Sequence, residues 1–448
     1  MGKPSPIYQP KETRICNFRE VSLGFNKKIA QAEARRCPQC AVATCLPGCP
    51  LGIDIPGFIR LLREGDTALA LERIKKENPF PAICGRICPA PCEGACVFHT
   101  DGDSIAIRGL ERFASDFGHL KSGKPRLPPQ GKKVAIIGSG PVGMSAAYFL
   151  AKMDFSVTIF EAAHEPGGLL RYAIPEFRLP QKVLNEQFSQ LKWAGVEIQT
   201  DVVFGRTMMI DELFMRGFSA VLLATGASLP VFSDLPGSGL TGVYYDTEFL
   251  YRLQTTGKEN VLQAARQQGI PAAKTVIVGC GAAAFDAARL SLRLGSEVRV
   301  VFEGFEEQAG VGVEVLKESR EEGIEIYPSK VLEIVGDDNG FVRGVKCRKL
   351  DIVEGKEGLK IELSRQEPAV LEAQTVIIAN GQRPNDFLKQ CLPQLKWDGD
   401  GSLWTDAKAG GMTSMEKVFA CGRAGWSVVD AIAGGKAVAQ KIIQYLAT

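Results

Sequence analysis

The sequence is poor in the features that mark membrane-spanning, exported and nucleic-acid-binding proteins. Its longest apolar runs fall well short of the roughly 20 residues that a membrane-spanning helix needs. The N-terminus, from Met1 to Pro6, lacks the apolar core of a signal peptide, so we expect a cytoplasmic protein. The net charge of only +2 provides no basic surface for nucleic acid or for an anionic membrane.

Histidine is equally scarce, which narrows the chemistry that the chain could perform. It has three histidines, His99, His119 and His164, and their positions form no recognisable catalytic set. The histidines therefore do not indicate acid–base catalysis.

Cysteine, by contrast, is plentiful and unevenly placed. Thirteen cysteines, an odd number, cluster at the front of a chain without a signal peptide, which favours metal or cluster ligation over disulfides. The first run has the spacing C-x2-C-x4-C-x3-C before a proline, similar to ferredoxin runs in which the last cysteine serves a second cluster. The second run has the spacing C-x3-C-x3-C-x3-C. The two runs are Cys37, Cys40, Cys45 and Cys49, and then Cys84, Cys88, Cys92 and Cys96.

Two kinds of metal site are compatible with these thiols. Soft thiolate ligands suit iron, and each four-iron cluster takes four ligands, so eight cysteines in two runs would hold two clusters. Two tetrahedral zinc sites would use the same eight residues. Zinc sites usually contain paired C-x2-C motifs and this chain has one, so the spacing favours iron–sulfur clusters and leaves zinc as the alternative.

A glycine-rich turn after an apolar strand predicts the first dinucleotide site. The strand Val134–Ile137 leads into a loop with the spacing GxGxxG, and a helix follows. The first glycine of such a loop permits the turn, the second admits a pyrophosphate and the third lets the helix pack closely. Glu161 ends the next strand, where a carboxylate binds an adenosine ribose; a glycine-rich turn without a ligand is the alternative. The loop comprises Gly138, Ser139, Gly140, Pro141, Val142 and Gly143.

The same pattern recurs later in the chain. Thr275–Val278 leads into a second loop that matches the first position for position, with Ala284 in place of the third glycine. The segment Thr375–Gly381 mirrors the earlier turn Ala224–Gly226. Two Rossmann-like units, the second inserted in the first, predict a flavoprotein that also binds a nicotinamide cofactor. The second loop comprises Gly279, Cys280, Gly281, Ala282, Ala283 and Ala284.

The expected fold is therefore α/β with an N-terminal α-helical iron–sulfur domain. Residues 1–125 would form the helical domain with two 4Fe–4S clusters, and the stretch 121–133, rich in Lys, Pro and Gly, would contain the linker. Residues 132–235 and 376–448 would form the FAD-binding domain, closed by an apolar helix from Val428 to Tyr445. Residues 236–375 would form the inserted NAD(P)H-binding domain.

Glu303, at the end of the second strand of the inserted unit, bears on the choice of nicotinamide. A carboxylate at this position binds a ribose diol and repels a 2′-phosphate, whereas a basic residue does the reverse. No Arg or Lys follows before Lys317. The sequence therefore favours NADH over NADPH, with a solvated surface acid as the alternative interpretation of Glu303.

A Gly- and Pro-rich segment, Gly167–Pro180, follows the first nucleotide unit. Its composition fits a loop that crosses a bound cofactor, where Arg178 would meet a phosphate. A surface loop with a solvated arginine is the alternative.

Together these parts predict an electron relay. A nicotinamide delivers electrons as a hydride pair, iron–sulfur clusters accept them singly, and a flavin exchanges them in both ways. A disulfide reductase would need a C-x2-C motif beside the flavin. The cysteines after Lys133 stand alone and indicate buried structural thiols; they are Cys280, Cys347, Cys391 and Cys421.

An ordered set of motifs across nearly the whole chain resembles a known family. The motifs are the first cysteine run, Ile83–Pro89, Arg108–Ala114, Gly167–Pro180 and the paired glycine loops. They resemble the small subunit of glutamate synthase, the amino-terminal half of dihydropyrimidine dehydrogenase and the large subunit of the electron-bifurcating ferredoxin–NADP transhydrogenase. The resemblance favours iron–sulfur clusters over zinc.

The resemblance also implies individual ligands, with each cysteine run serving both clusters. Cys84 has no ligand role in the family pattern, and Glu111 corresponds to the family's unusual ligand without sulfur. One cluster would take Cys37, Cys40, Cys45 and Cys96, and the other Cys49, Cys88, Cys92 and Glu111. FAD would contact the first loop and also Glu161, Gly168, Leu169 and Arg178. Nicotinamide would contact the second loop and Glu303. The remaining predicted cofactor-binding residues are Gly381, Gly422 and Arg423.

Three positions depart from the family pattern. Glu303 and Gly304 stand where the family has a basic pair for the 2′-phosphate, and Cys92 lies closer to Cys88 than in several relatives. Arg423, after Gly422, stands where the family has an Asp that holds the flavin near its ribityl chain. Arg423 would instead pair with a phosphate, or flavin binding would be weaker.

Proteins of this family exchange electrons with a second polypeptide that carries the final substrate site. The resemblance therefore implies a subunit with a partner chain of the glutamate synthase large-subunit, dihydropyrimidine dehydrogenase or ferredoxin-linked kind. A self-sufficient NADH:acceptor reductase is one alternative. A non-catalytic redox-sensing or scaffold module, suggested by Arg423, is the other.

Overall fold

The computed structural model describes residues 2–100, 102–119, 131–255, 274–304, 309–355, 358–399, 401–406 and 411–447, with the side chains of residues 352–359 left aside. The expected linker 121–133 lies outside these ranges except for its last three residues, and so does the expected boundary at residue 125. Within the described part, no helix is both long and apolar enough to cross a membrane.

The N-terminal unit is α-helical, as the sequence predicts. Polar side chains start its helices: Asp54 accepts a hydrogen bond from Gly57 N at 3.0 Å and Asp66 accepts one from Leu69 N at 2.9 Å. An antiparallel ribbon of Ile7–Tyr8 and Ser22–Gly24 stands beside them, although the sequence shows no strand pattern there. The helices are Lys11–Arg14, Lys27–Arg36, Ile55–Glu64, Thr67–Lys75, Pro81–Ile87, Pro91–Gly94 and Ile107–Phe117.

The first nucleotide motif lies in a five-stranded parallel sheet. Its central strand, Lys133–Ile137, is buried from Val134 onwards, as expected for a parallel strand covered on both faces. The order across the sheet is Val418–Ala420, Phe218–Leu223, Lys133–Ile137, Ser156–Phe160 and Glu197–Gln199. The helices around it are Pro141–Lys152, Leu169–Tyr172, Gln181–Trp193, Ile210–Met215, Phe387–Cys391 and Val428–Ala447.

The C-terminal helix packs against this domain. It packs on the helix that follows the first glycine loop, where Ser145 Oγ donates a hydrogen bond to Ile432 O at 2.6 Å. The approach is close enough to require glycine, because a Cβ on Gly435 would lie 2.4 Å from Val142 O. The helix that carries the phosphate-binding end of the motif is thereby held by the last element of the chain.

The inserted domain has an eight-stranded mixed sheet. Four parallel strands form its nucleotide-binding part: Glu297–Phe302, Lys274–Val278, Thr375–Ile378 and Val243–Tyr245. The strand Glu325–Gly336 pairs in parallel with Glu297–Phe302 and continues the sheet into an antiparallel extension. The extension contains Val342–Gly355, Gly358–Leu363 and Ala369–Glu372, and the helices are Asp246–Thr255, Ala282–Arg293 and Val313–Glu322.

Two short strands mark where the chain crosses between the nucleotide-binding domains. Leu229–Pro230 pairs antiparallel with Gln382–Arg383. The strand Thr375–Ile378 stays in the inserted sheet, beside Lys274–Val278. The sequence places the return to the FAD-binding domain at residue 376, whereas the hydrogen bonding keeps this strand with the inserted domain to its end.

A buried ion cluster ties the N-terminal arm to the inserted domain. Glu322, whose side chain is fully buried, pairs with Arg289 at 2.6 Å, with Arg293 at 2.8 Å and with Arg14 at 3.1 Å. Phe177, from the Gly- and Pro-rich segment, packs against the guanidinium groups of Arg289 and Arg293. The Cζ atoms of these two arginines lie 5.2 and 4.1 Å from the centroid of its ring. Three separate parts of the chain therefore meet in this cluster.

Candidate functional site

Four cysteines of the N-terminal unit line one cavity. The first run supplies three of them, beginning directly after the helix Lys27–Arg36, and the second run supplies the fourth. Thr44 Oγ1 donates a hydrogen bond to Ala95 O at 2.5 Å and so joins the two runs beside the cavity. The four are Cys37, Cys40, Cys45 and Cys96, the set that the family resemblance assigns to one cluster.

A second cavity gathers the other proposed ligands. Cys88 follows the helix Pro81–Ile87, and the left-handed backbone at Ala90 (φ 55°) turns the chain into the short helix that carries Cys92. Glu111 reaches the cavity from the helix Ile107–Phe117. The cavity is lined by Cys49, Cys88, Cys92 and Glu111, together with Cys84 and Asn78.

The electrostatics of these cavities suit a cationic occupant. Burial, with nearby Glu111, raises the pKa of Cys88 to about 12, and burial, with nearby Cys37, raises that of Cys45 to about 11. Burial also raises the pKa of Glu111 to about 7, against the hydrogen bond from Asn78. Iron ions would offset the cost of burying thiolates and would displace their protons on binding. The donor chemistry therefore fits iron–sulfur clusters.

The first glycine loop has the geometry that the sequence predicts. Gly138 adopts φ 105°, a left-handed conformation that favours glycine, and a Cβ on Gly143 would lie 2.0 Å from Gly138 O. A Cβ on Gly140, by contrast, would meet no protein atom within 4 Å. The loop therefore leaves open the space that a pyrophosphate fills in such motifs.

Glu161 organises the same loop from the end of its strand. Its buried carboxylate accepts hydrogen bonds from Ser139 N at 3.0 Å and Ala163 N at 2.9 Å, and from Ser139 Oγ. Ser139 Oγ also accepts a hydrogen bond from Gly167 N at 2.8 Å, which draws the Gly- and Pro-rich segment against the loop. A Cβ on Gly168 would lie 3.1 Å from Gly140 Cα. Glu161 and Gly168 thus lie against the first glycine loop, and Leu169 follows directly.

Arg178 has a partner that the sequence does not reveal. The resemblance predicts that it contacts the flavin nucleotide, yet its Nη1 pairs with Asp286 Oδ2 at 2.6 Å. Asp286 lies on the helix Ala282–Arg293 of the inserted domain, is nearly fully buried and has its Oδ1 without a hydrogen bond. In this arrangement Arg178 joins the two nucleotide-binding domains, and a contact with phosphate stays a prediction.

The second glycine loop repeats the geometry of the first. Gly279 adopts φ 135°, and a Cβ on Gly281 would meet no protein atom within 4 Å. Ala284, in place of a third glycine, lies in the first turn of the helix Ala282–Arg293 and is fully buried. Cys280 O accepts a hydrogen bond from Gly310 N at 3.1 Å, which fixes the loop from outside. The open space over Gly281 fits a second pyrophosphate.

Glu303 has a basic neighbour that its position in the sequence does not reveal. Glu303 is 56% exposed in its side chain, and Lys330 Nζ lies 3.5 Å from its Oε1. Lys330 comes from the strand Glu325–Gly336, which pairs with the strand that Glu303 follows. Strand pairing, rather than sequence distance, brings the lysine to the site.

The C-terminal candidates lie in two different places. A Cβ on Gly422 would lie 3.8 Å from Val142 Cγ2, and Arg423 beside it is exposed. Gly381 adopts φ 93°, with its carbonyl accepting a hydrogen bond from Val231 N at 3.0 Å at the crossing between domains. Gly422 is thus near the first loop, and Gly381 is at the domain crossing.

Comparisons with known proteins agree with this arrangement. The family described as dihydropyrimidine dehydrogenase domain II, 4Fe-4S cluster, matches residues 14–122, and the pyridine nucleotide-disulphide oxidoreductase family matches residues 132–431. The former match supports iron–sulfur clusters rather than zinc. FprA from Mycobacterium tuberculosis in complex with NADPH has a similar fold, with a TM-score of 0.55, 19% identity and coverage of 71% of this chain and 85% of FprA.

Two relatives match over almost their whole length. The glutamate synthase [NADPH] small chain of Escherichia coli is 29% identical, covering 100% of this chain and 98% of that protein. The corresponding small chain of Mycobacterium tuberculosis is 32% identical, covering 98% and 93%. The chain therefore belongs to the family of FAD- and iron–sulfur-containing NAD(P)H oxidoreductases that includes the small chains of glutamate synthase.

Proposed function

We propose that this chain is an electron-transfer subunit, which passes electrons between a nicotinamide nucleotide and a partner chain through FAD and two 4Fe–4S clusters. A bound flavin would take up a hydride pair and release its electrons singly to the clusters. The chain itself positions the cofactors, and the glycine loops and the cysteine cavities supply that geometry.

One observation carries the proposal: the second cysteine cavity borders the proposed flavin domain, and the first cavity lies next to the second. Val429, in the first turn of the helix Val428–Ala447, lines the second cavity. Ile55 and Ile107 line both cavities, so the two sites are neighbours. This succession supports an electron path from the flavin to the second cluster and then to the first.

The first cavity suits the point where electrons leave the chain. Its cysteines are partly exposed, whereas the cysteines of the second cavity are buried. Val42, between two of the ligands, is 81% exposed, and the sequence from Cys37 to Ile53 contains no charged residue. An exposed apolar rim over a redox site fits a partner chain that brings its own electron carrier close.

The proposed ligand assignments follow the resemblance, and the cavities support them. Leu169, Arg178 and Arg423 are proposed with the flavin site. The cluster ligands are Cys37, Cys40, Cys45 and Cys96, and Cys49, Cys88, Cys92 and Glu111. FAD is assigned to Gly138–Gly143, Glu161 and Gly168, and nicotinamide to Gly279–Ala284 and Glu303.

NADH is the proposed nicotinamide, although the two small-chain relatives carry NADPH in their names. Glu303 would accept hydrogen bonds from the ribose diol and repel a 2′-phosphate, while Lys330 partly balances its charge. Replacing Glu303 with Arg should raise the ratio of kcat/KM for NADPH to that for NADH by at least about tenfold, corresponding to about 1.4 kcal/mol. Steady-state reduction of a dye with each nucleotide measures the ratio.

A charge-reversed surface variant provides the control for this change. Asp338 is exposed in the turn after Gly336, and Asp338→Arg should leave the nucleotide ratio unchanged. A wild-type enzyme that already prefers NADPH, with no change in Glu303→Arg, would contradict the proposed role of Glu303.

Anaerobic purification from the native source tests the proposed function as a whole. The protein should contain FAD and about eight irons for two four-iron clusters. NADH should bleach the flavin band, and a companion chain should copurify. Full turnover of the physiological acceptor without a companion would favour the self-sufficient reductase, and clusters without NADH-dependent bleaching would favour the redox-sensing module.

A further inference from the structure

We infer that Asn78 is a positioning residue, which holds the carboxylate of Glu111 in the orientation that binds iron in the second cavity. The inference rests on the proposed function, because it presumes a cluster among Cys49, Cys88, Cys92 and Glu111. Asn78 has no place among the predicted ligands, and no cysteine or acidic motif marks it in the sequence.

Two hydrogen bonds fix the orientation of the Asn78 amide. The side chain is fully buried, and its Oδ1 accepts a hydrogen bond from Phe80 N at 2.9 Å. The amide nitrogen must then point the other way, and Nδ2 donates to Glu111 Oε1 at 2.6 Å. Because the backbone defines which end of the amide is the oxygen, the polarity of the pair cannot reverse on its own.

This polarity determines what Glu111 presents to the cavity. One carboxylate oxygen is engaged by the amide donor, and the remaining lone pairs belong to a group that lines the cavity beside four cysteines. Cys84, the thiol of this cavity that lies outside the predicted ligand set, belongs to the same lining as Asn78. Asn78 thus holds the carboxylate from outside the predicted ligand set, as outer-shell partners of metal ligands commonly do.

A pair of isosteric substitutions separates this role from simple packing. Asn78→Asp keeps an oxygen for Phe80 N and nearly the same shape, but removes the donor that faces Glu111. Glu111→Gln keeps the shape of the ligand, but its amide oxygen would turn towards the Asn78 donor and its NH₂ group towards the iron. In the double variant, the amide at position 111 donates to the new carboxylate and its oxygen faces the iron again.

Each single variant should lose the second cluster, and the double variant should regain it. The measurements are iron and sulfide content and the electron paramagnetic resonance (EPR) spectrum of dithionite-reduced protein prepared without oxygen. The single variants should retain about half of the iron, from about eight to about four per chain, with only the first cluster's signal. The double variant should return to the wild-type iron content, with a second-cluster signal.

A matched control tests whether the charge change alone has an effect. Asn385 makes the same local turn, with Oδ1 accepting a hydrogen bond from Phe387 N at 2.9 Å, but it is exposed. Asn385→Asp should leave both clusters unchanged. FAD content and the first cluster's signal report whether each variant is folded.

The outcomes distinguish this inference from the proposed function. Wild-type protein without clusters would overturn both. Wild-type protein with two clusters, together with an Asn78→Asp variant whose EPR spectrum and iron content are unchanged, would overturn the inference alone. If a single variant does not fold, the double variant decides: recovery of folded protein with both clusters supports the inference, and its absence contradicts it.

Discussion

Replacing Gly140 with valine should abolish FAD binding while leaving the protein folded. A Cβ at Gly140 meets no protein atom within 4 Å, and the residue has φ −67° and ψ −177°, which any amino acid adopts. The added side chain would therefore occupy only the space that the pyrophosphate needs. FAD occupancy should fall to about a tenth of the wild-type value or less, a loss of at least about 1.4 kcal/mol in binding free energy.

The second glycine loop provides the matched variant. Gly281 has the same open space and an extended backbone, with φ −80° and ψ 174°. Gly281→Val should keep FAD and raise the dissociation constant of the nicotinamide nucleotide by about tenfold or more. The two variants should thus show opposite defects when FAD content and nucleotide binding are measured together.

A third substitution serves as the control for steric damage within the protein. Gly143→Ala would place a Cβ 2.0 Å from Gly138 O, so it should disturb the loop itself and reduce thermal stability. Full FAD occupancy in Gly140→Val would contradict the assignment of the first loop. Equal loss of FAD in Gly140→Val and Gly281→Val would contradict the division of labour between the two loops.

Replacing the buried Glu322 with alanine should cause a large loss in the free energy of unfolding. The substitution leaves Arg14, Arg289 and Arg293 around an empty, buried position. Removing one partner of a buried ion group costs about 3–5 kcal/mol when the remaining charges stay buried without compensation. Arg289 keeps Glu318 at 2.8 Å and Arg14 keeps Glu321 at 3.0 Å, so we expect a loss near the lower end of this range. The inserted domain should therefore unfold at a lower urea concentration. Resistance to a protease at increasing urea concentrations measures this midpoint.

An exposed ion pair in the same domain provides the control. Glu325 is 53% exposed in its side chain and pairs with Arg299 at 2.8 Å, so Glu325→Ala should cost less than about 1 kcal/mol. Similar midpoints for the two variants would show that the Glu322 cluster does not hold the domain.

The same cluster predicts how stability depends on pH. Burial opposes ionisation of Glu322, but the hydrogen bonds and charges of Arg289 and Arg293 lower its pKa below 4.5 overall. Its contribution is therefore fully present above the unfolded-state pKa and is lost as the pH falls through the lower folded-state value. The wild-type protein should lose this contribution in acid, and Glu322→Ala should have a flatter profile there.

The parts that the sequence predicts well are those in which a short segment specifies its own geometry. The loops at Gly138 and Gly279 are contiguous, so the turn, the strand before it and the helix after it can all be inferred from neighbouring residues. The pair of cysteine cavities is different, because Cys96 joins Cys37 across most of the N-terminal unit. Spacing alone gives eight thiols, and only the family resemblance predicts how they divide.

The features that escape the sequence depend on contacts between distant segments. Lys330 reaches Glu303 through the pairing of neighbouring strands, and Asp286 meets Arg178 across a domain boundary. Asn78 is a single buried amide, and its significance appears only when the polarity of its two hydrogen bonds is known. Hydrophobic periodicity and motif spacing carry no information about such pairs.

The end of the inserted domain illustrates the same limit. The strand Thr375–Ile378 is apolar and precedes a glycine turn, so the sequence alone is compatible with either nucleotide-binding sheet. Its hydrogen bonds to Lys274–Val278 assign it to the inserted one. Sheet membership is a long-range property, which a local pattern does not contain.

The most direct test of the relay is a titration of the oxygen-free protein with NADH and NADPH, followed by absorbance and EPR. Our account predicts that a nicotinamide nucleotide bleaches the flavin band and that signals of reduced iron–sulfur clusters then appear. A flavin that is fully bleached by the nucleotide, while clusters reducible by dithionite stay oxidised, would contradict it.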